Sequence, residues 1–226
     1  MLILTLDYRE FFILKYNNYK MLKLKSLSEL ELLALLSSTS VLRKTKLFVE
    51  ILNFMLKQKI SHKKIYEALL QTYLFAGFPS ALISLKIFNQ IVNKEKKYVG
   101  FDLHKYLNRG ERNCKIIYGN KYEKLISNIK SFSPEMAEWL IIEGYGKVLG
   151  RKGLTLKERE ICIVSILASL KFKDQLYSHI NGSFKVKVKP AFINLICKNL
   201  NIISSKSAAK FGLRVLNQYR LNKLNH

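Results

Sequence analysis

The chain has 226 residues, enough to bury a sizeable core as one large domain or two fused small ones, and its hydrophobic content of 49% excludes a disordered polymer. Its formal charge of +23 raises the question of a polyanionic partner. No arginine-rich arm, aromatic RNA-binding stripe or recognition-helix motif accompanies that charge, and the lysines are dispersed among abundant Asn and Ile. Nucleic acid is therefore not the expected partner, and the charge reads as biased composition on solvated helix faces.

Other classes fall away on local grounds. Met1 to Glu10 mixes acids into an apolar start without a basic leader or a small-residue cleavage pattern, so no signal peptide is expected. The apolar run from Ile161 to Leu170 is half the roughly 20 residues a bilayer crossing needs, so no membrane is expected either. Cys114, Cys162 and Cys197 are widely separated and form no C-x-x-C pair, which argues against a disulfide framework or zinc knuckle and suits a reducing cytoplasm. His62, His104 and His226 have no ligand partner at a useful spacing, and Gly144, Gly146 and Gly150 are too irregular for a phosphate loop. Neither a metal nor a cofactor is expected.

Apolar residues recur at three and four positions almost throughout, which predicts an all-α fold. In chain order the pattern predicts helices over 27–39, 43–58, 61–75, 79–93, 121–130, 134–149, 155–170, 173–186, 190–200 and 205–222. Pro79, Pro134 and Pro190 each suit a first helical turn, and Gly150 suits a helix stop. Ser26…Glu29 and Thr155…Glu158 fit capping boxes, in which a hydroxyl and an acid satisfy free amides at a helix start. The densest early lysine cluster, Lys57, Lys59, Lys63 and Lys64, reads as an exposed helix start.

The chain also resembles itself. Ser26 to Leu32 aligns with Thr155 to Ile161 at an offset of 129, and Ala81 to Gln90 aligns with Ala209 to Gln218 at 128. One residue lost from the second copy reconciles the two offsets and suggests an internal duplication. The organisation expected is a first repeat over 25–93, a connecting segment over 94–133 and a second repeat over 134–222.

Glu160, Phe172, Gln175 and His179 stand at intervals of twelve, three and four residues. Together with Glu143 to Glu160 and Glu67 to Pro79, this spacing resembles the carboxymuconolactone decarboxylase and alkyl hydroperoxidase D superfamily. Redox members of that family carry cysteines where Phe172 and Gln175 stand here, so the thiol chemistry is not expected. The resemblance implies two alkyl hydroperoxidase D-like helical repeats, assembly into homo-oligomers and, in decarboxylase members, cofactor-free proton transfer on a small carboxylated substrate.

On that resemblance His179 is the candidate acid/base, with Glu160 and Glu143 as its candidate partners. Gln175, one turn before the histidine, could orient substrate, while Tyr145, Arg151 and Arg159 could line a pocket and hold a carboxylate. The first repeat offers Glu31, Arg43, Lys46 and Glu50 at the corresponding places, or Lys44, Leu47 and Ile51 if the gap falls before Phe172. Any site therefore belongs to the second repeat. Three other functions stay open: peroxidase-like activity from a single atypical cysteine, a non-catalytic ligand-binding or assembly role, and binding of a polyanion through the +23 charge.

Overall fold

A computed structural model describes residues 22–93 and 100–224; the readings at Met1 to Glu10 and at His226 lie outside them. Among the described residues there are eleven α-helices and no strand. They are α1 (Glu29–Val41), α2 (Thr45–Lys57), α3 (His62–Leu70), α4 (Tyr73–Val92), α5 (Leu103–Tyr118), α6 (Tyr122–Lys130), α7 (Pro134–Trp139), α8 (Leu156–Leu170), α9 (Lys173–Lys185), α10 (Pro190–Asn199) and α11 (Lys206–Leu224). A π-helical segment, Leu140–Val148, continues α7.

Two helices form the centre. α1 and α8 pack along one another and are buried on nearly every side, from Glu31 to Val41 and from Arg159 to Ser169. Helices apolar all round belong in such a position, and each buried Leu, Ile or Val contributes about 1.5–3 kcal/mol. The hydroxyls within them are satisfied locally: Ser37 Oγ donates to the Leu33 carbonyl at 2.9 Å and Thr39 Oγ1 to that of Leu36 at 2.8 Å. Ser38 and Ser165 meet hydroxyl to hydroxyl at 2.7 Å between the two helices. Around this pair, α2, α3 and α4 cover α1, while α9, α10 and α11 cover α8.

Local geometry recurs along the chain at a nearly constant interval. Ser28 caps α1 with Glu31 in a reciprocal capping box, and Thr155 caps α8 with Glu158 in another, 127 residues on. The left-handed residues Arg43 (φ 53°) and Lys171 (φ 62°) are 128 apart, as are Lys59 (φ 58°) and Lys187 (φ 63°). α2 and α9 start and end 128 residues apart, and Pro190 opens α10 at that distance from His62. The capping box expected at Ser26…Glu29 thus forms two residues later, so α1 runs 29–41 rather than 27–39. The interval from cap to left-handed residue is 15 residues from Ser28 to Arg43 (43 − 28) and 16 from Thr155 to Lys171 (171 − 155), the reverse of the single-residue loss that an offset of 129 implies. At the 128-residue interval of α2 and α9, Lys44, Leu47 and Ile51 stand at the positions of Phe172, Gln175 and His179.

Three further differences from the expected elements have physical causes. The helix expected over 61–75 ends at Leu70, and α4 begins at Tyr73 with a break at Gly77 (φ 74°, ψ 170°), a conformation glycine reaches readily. Pro79 then opens the straight part of α4. By length and composition, Tyr73–Val92 is the one helix among the described residues apolar enough to cross a membrane, in place of the Ile161 to Leu170 run. α5 falls in the segment read as a connector. Asp102 caps it by accepting from Lys105 N at 3.0 Å, and its buried face is Tyr106, Gly110, Asn113, Cys114 and Ile117.

α5 lies against the π-helical segment through two glycines: a Cβ at Gly110 would overlap the Ile141 carbonyl, and one at Gly146 would overlap that of Tyr106. Side chains of α5 also occupy carbonyls near the end of the π-helical segment. Arg109 Nε donates to Gly146 O, Arg109 Nη2 to Lys147 O at 3.2 Å, and Asn113 Nδ2 to Tyr145 O at 3.2 Å. Carbonyls in a terminal turn have no partner of their own in the helix, so these bonds stabilise the segment where it stops.

Candidate functional site

Glu160 lies on α8 and His179 on α9, and the packing of these helices closes their separation of 19 residues. Nδ1 of His179 lies 2.9 Å from Oε2 of Glu160, with the glutamate 1% and the histidine 8% exposed. Gly182, on the next turn of α9, leaves the room: a Cβ there would stand 2.9 Å from Glu160 Oε2 and 2.7 Å from Ile117 Cγ2. An ionised carboxylate only accepts hydrogen bonds, so opposite an ionised Glu160 the Nδ1 carries hydrogen. A neutral ring then keeps its lone pair on Nε2.

Two walls enclose the pair. On the α5 side Tyr145 donates to the Tyr118 hydroxyl at 3.3 Å, and their rings meet edge to face. Burial pushes both phenols well above their ordinary range, and the nearby Glu160 charge adds to it. On the other side the Phe75 ring stands edge-on to His179, with centroids 6.1 Å apart. Phe75 belongs to the turn of α4 that precedes the break at Gly77. That turn is tied down by Tyr73, whose hydroxyl donates to Glu143.

The expected site residues separate into four places. Glu160 and His179 bond to each other, and Tyr145 lies close enough to feel the Glu160 charge. Glu143 bonds to Tyr73 and to Lys147 (3.0 Å). Gln175 is exposed one turn before His179, and Phe172, the N-cap of α9, is exposed as well.

Arg151 and Arg159 occupy the fourth, against Glu67 of α3. Arg159 Nη2 and Arg151 Nε each lie 2.9 Å from the Glu67 carboxylate. Their expected place beside the histidine is therefore corrected: Arg159 precedes Glu160 on α8, where successive side chains point about 100° apart, and it faces α3 while Glu160 faces α9. Phe75, Tyr118, Gly182, Glu67 and Gln71 join these side chains without belonging to the spacing that marks Glu160 and His179. Gly182 carried the clearest signal, a glycine inside a predicted helix, where it costs about 1 kcal/mol against alanine.

The cysteines stand apart from this chemistry. Cys114, Cys162 and Cys197 are all buried, and burial pushes each thiol up to about 12. A thiolate is the reactive form, so none is poised as a nucleophile near neutrality. Native protein at pH 8 is expected to show almost no reaction with a thiol reagent over minutes, and all three cysteines are expected to react once it is denatured. One fast thiol in the native protein would reinstate a peroxidase-like mechanism. Among the described residues no three His, Cys, Asp or Glu side chains gather as a metal site.

Compared with family models, with curated proteins and with solved structures, the chain matches none.

Proposed function

We propose that the chain is a tandem-duplicated protein of the carboxymuconolactone decarboxylase-like type. In this reading the Glu160–His179 pair moves protons on a small carboxylated molecule, without a cofactor. The observation that carries it is the 2.9 Å bond between Nδ1 and Glu160, which leaves Nε2 as the working nitrogen. A carboxylate behind an imidazole fixes its tautomer and stabilises the protonated ring formed during proton abstraction. The recurrence of caps and left-handed residues at 127 and 128 positions supports the duplication. The buried thiols favour acid/base over redox chemistry.

The test is hydrogen exchange into a panel of small lactone and β-keto acids, followed by NMR in deuterium oxide. Wild-type protein is expected to accelerate exchange or turnover of at least one acid. Glu160→Gln should slow it by roughly 10²-fold or more, and His179→Ala should reduce it to background. Equal rates in wild type and His179→Ala would remove the mechanism.

One observation favours a second reading. Phe75 stands against the His179 ring and the histidine is 8% exposed, as suits a buried pair that holds α8 to α9 in a non-catalytic binding or assembly protein. Phe75→Ala distinguishes the two. Easier access to the ring should raise exchange if the pair is catalytic, and should only lower stability if it is structural.

A further inference from the structure

The fourth helix of each half closes on its neighbours differently. On α4, Ser80, Ala81, Ser84 and Phe88 are buried; 128 residues on, Ala208, Ala209, Gly212 and Leu216 of α11 are buried in the same pattern. α11 buries a second stripe as well, Val215 and Tyr219, and the Tyr219 ring meets Tyr177 and Phe184 of α9. The matching Ile87 and Ile91 of α4 are half-buried and exposed, and Ile83 beside them is 51% exposed. The cause lies where these helices cross α1 and α8. Gly212 lets α11 come close to α8, since a Cβ there would stand 3.1 Å from that of Ala168. In the first half Ser84 and Ser40 hold those two places and meet hydroxyl to hydroxyl at 3.0 Å. The added atoms keep α4 off α1, and a wedge opens between α4 and the start of α2.

That wedge is a cavity of about 200 Å³. Phe48, Ile83 and Ile87 give it apolar walls, and Arg43 and Thr45 line it from the turn into α2. The hydroxyl hydrogens within it are already committed. Ser40 donates to Ser84, Ser84 to the Ser80 and Ala81 carbonyls, Ser80 to the Ser40 carbonyl and Thr39 to that of Leu36. Arg43 and Thr45 are exposed, and among the described residues neither side chain has a hydrogen-bond or ion-pair partner. Donors for an anion therefore stand at the mouth, and hydrocarbon lies inside. A cavity of about 150 Å³ takes a benzene ring, so this one has room for a ring or short chain of about six to eight carbons.

We propose that this wedge binds a small organic acid, with its carboxylate on Arg43 and Thr45 and its apolar body against Phe48, Ile83 and Ile87. A guanidinium at the mouth selects the anion, and the three apolar side chains select a hydrocarbon body over an inorganic ion. The site lies in the half of the chain that lacks the Glu160–His179 pair, and binding there does not depend on what that pair does.

The test is titration calorimetry of the full chain with octanoate at neutral pH and fixed ionic strength. Octanoate should bind at one site with a Kd of about 1 mM or tighter, and acetate, which lacks the body, at least roughly tenfold more weakly. Arg43→Gln should weaken octanoate roughly tenfold or more. Lys171→Gln, at the place of Arg43 in the second half, should leave it unchanged. Ile83→Trp, which fills the wedge from an exposed position, should abolish binding. Equal weakening by Arg43→Gln and Lys171→Gln would assign the binding to the basic surface as a whole and overturn the site. Full-strength binding to Ile83→Trp, acetate bound as tightly as octanoate, or no heat from octanoate at about 10 mM would overturn it equally.

Discussion

Gly146→Ala is expected to leave little or no folded protein. The added methyl would overlap the Tyr106 carbonyl and lie 3.0 Å from that of Ile141, and both are backbone atoms that cannot turn aside as a side chain would. Overpacking a core costs about 1–3 kcal/mol when neighbours can shift. Here relief requires α5 to move away from the π-helical segment, breaking the bonds from Arg109 and Asn113 to Gly146, Lys147 and Tyr145. A loss of more than ~4 kcal/mol against a typical stability of 5–15 kcal/mol would appear as insoluble protein or a collapsed thermal midpoint. Gly144→Ala is the matched control, since its methyl would meet only Leu140 Cδ1 at 3.8 Å, and it should fold normally. Indistinguishable midpoints for the two variants would show that α5 and the π-helical segment do not meet as described.

Glu67→Ala is expected to have the second-largest effect, lowering stability by about 3–5 kcal/mol in urea unfolding. The carboxylate is the shared partner of Arg151 and Arg159, and its removal leaves a buried guanidinium with only Gln71 Oε1 and the Arg151 carbonyl. Arg151→Ala should cost far less, because its side chain is 37% exposed and can be replaced by water around Glu67. A Glu67→Ala penalty no greater than that of Arg151→Ala would mean that the buried pair contributes nothing beyond a surface ion pair.

Much of the fold was legible because helix starts are written in short polar signals. Thr155…Glu158 forms the expected capping box, and Pro134 and Pro190 occupy the expected first turns. The same signal misplaced α1 by two residues: Ser26 and Ser28 both precede a glutamate three positions on, and only packing chooses Ser28 with Glu31. α5 was hidden for a related reason. Asn108-Arg-Gly110-Glu looks like a loop, yet Gly110 is there to let another backbone approach, and a sequence does not distinguish a turn glycine from a contact glycine. The π-helical segment departs from the 3.6-residue period on which helix recognition rests, so it read as an ordinary continuation of α7.

The site was legible in part. The family resemblance of the spacing brought out Glu160 and His179, which the packing of α8 on α9 places in contact. The same proximity in sequence suggested that Arg159 would join them, whereas its direction from α8 carries it to Glu67. Nothing local announces that Glu67, 92 residues earlier, would receive it. Phe75 was equally hidden, because its place against His179 depends on the break at Gly77 and on the bond from Tyr73 to Glu143.

The proposed proton transfer needs one nitrogen, Nε2 of His179, held ready as a base by Glu160. Nitrogen-15 NMR of the imidazole ring at neutral pH reads this directly. With Glu160 as acceptor the geometry puts hydrogen on Nδ1, coupled to a hydrogen bond that disappears in Glu160→Ala, and the proposed role as base requires that Nε2 carry none. A ring carrying its hydrogen on Nε2, with Nδ1 accepting from a protonated Glu160, would contradict the proposed role of the pair.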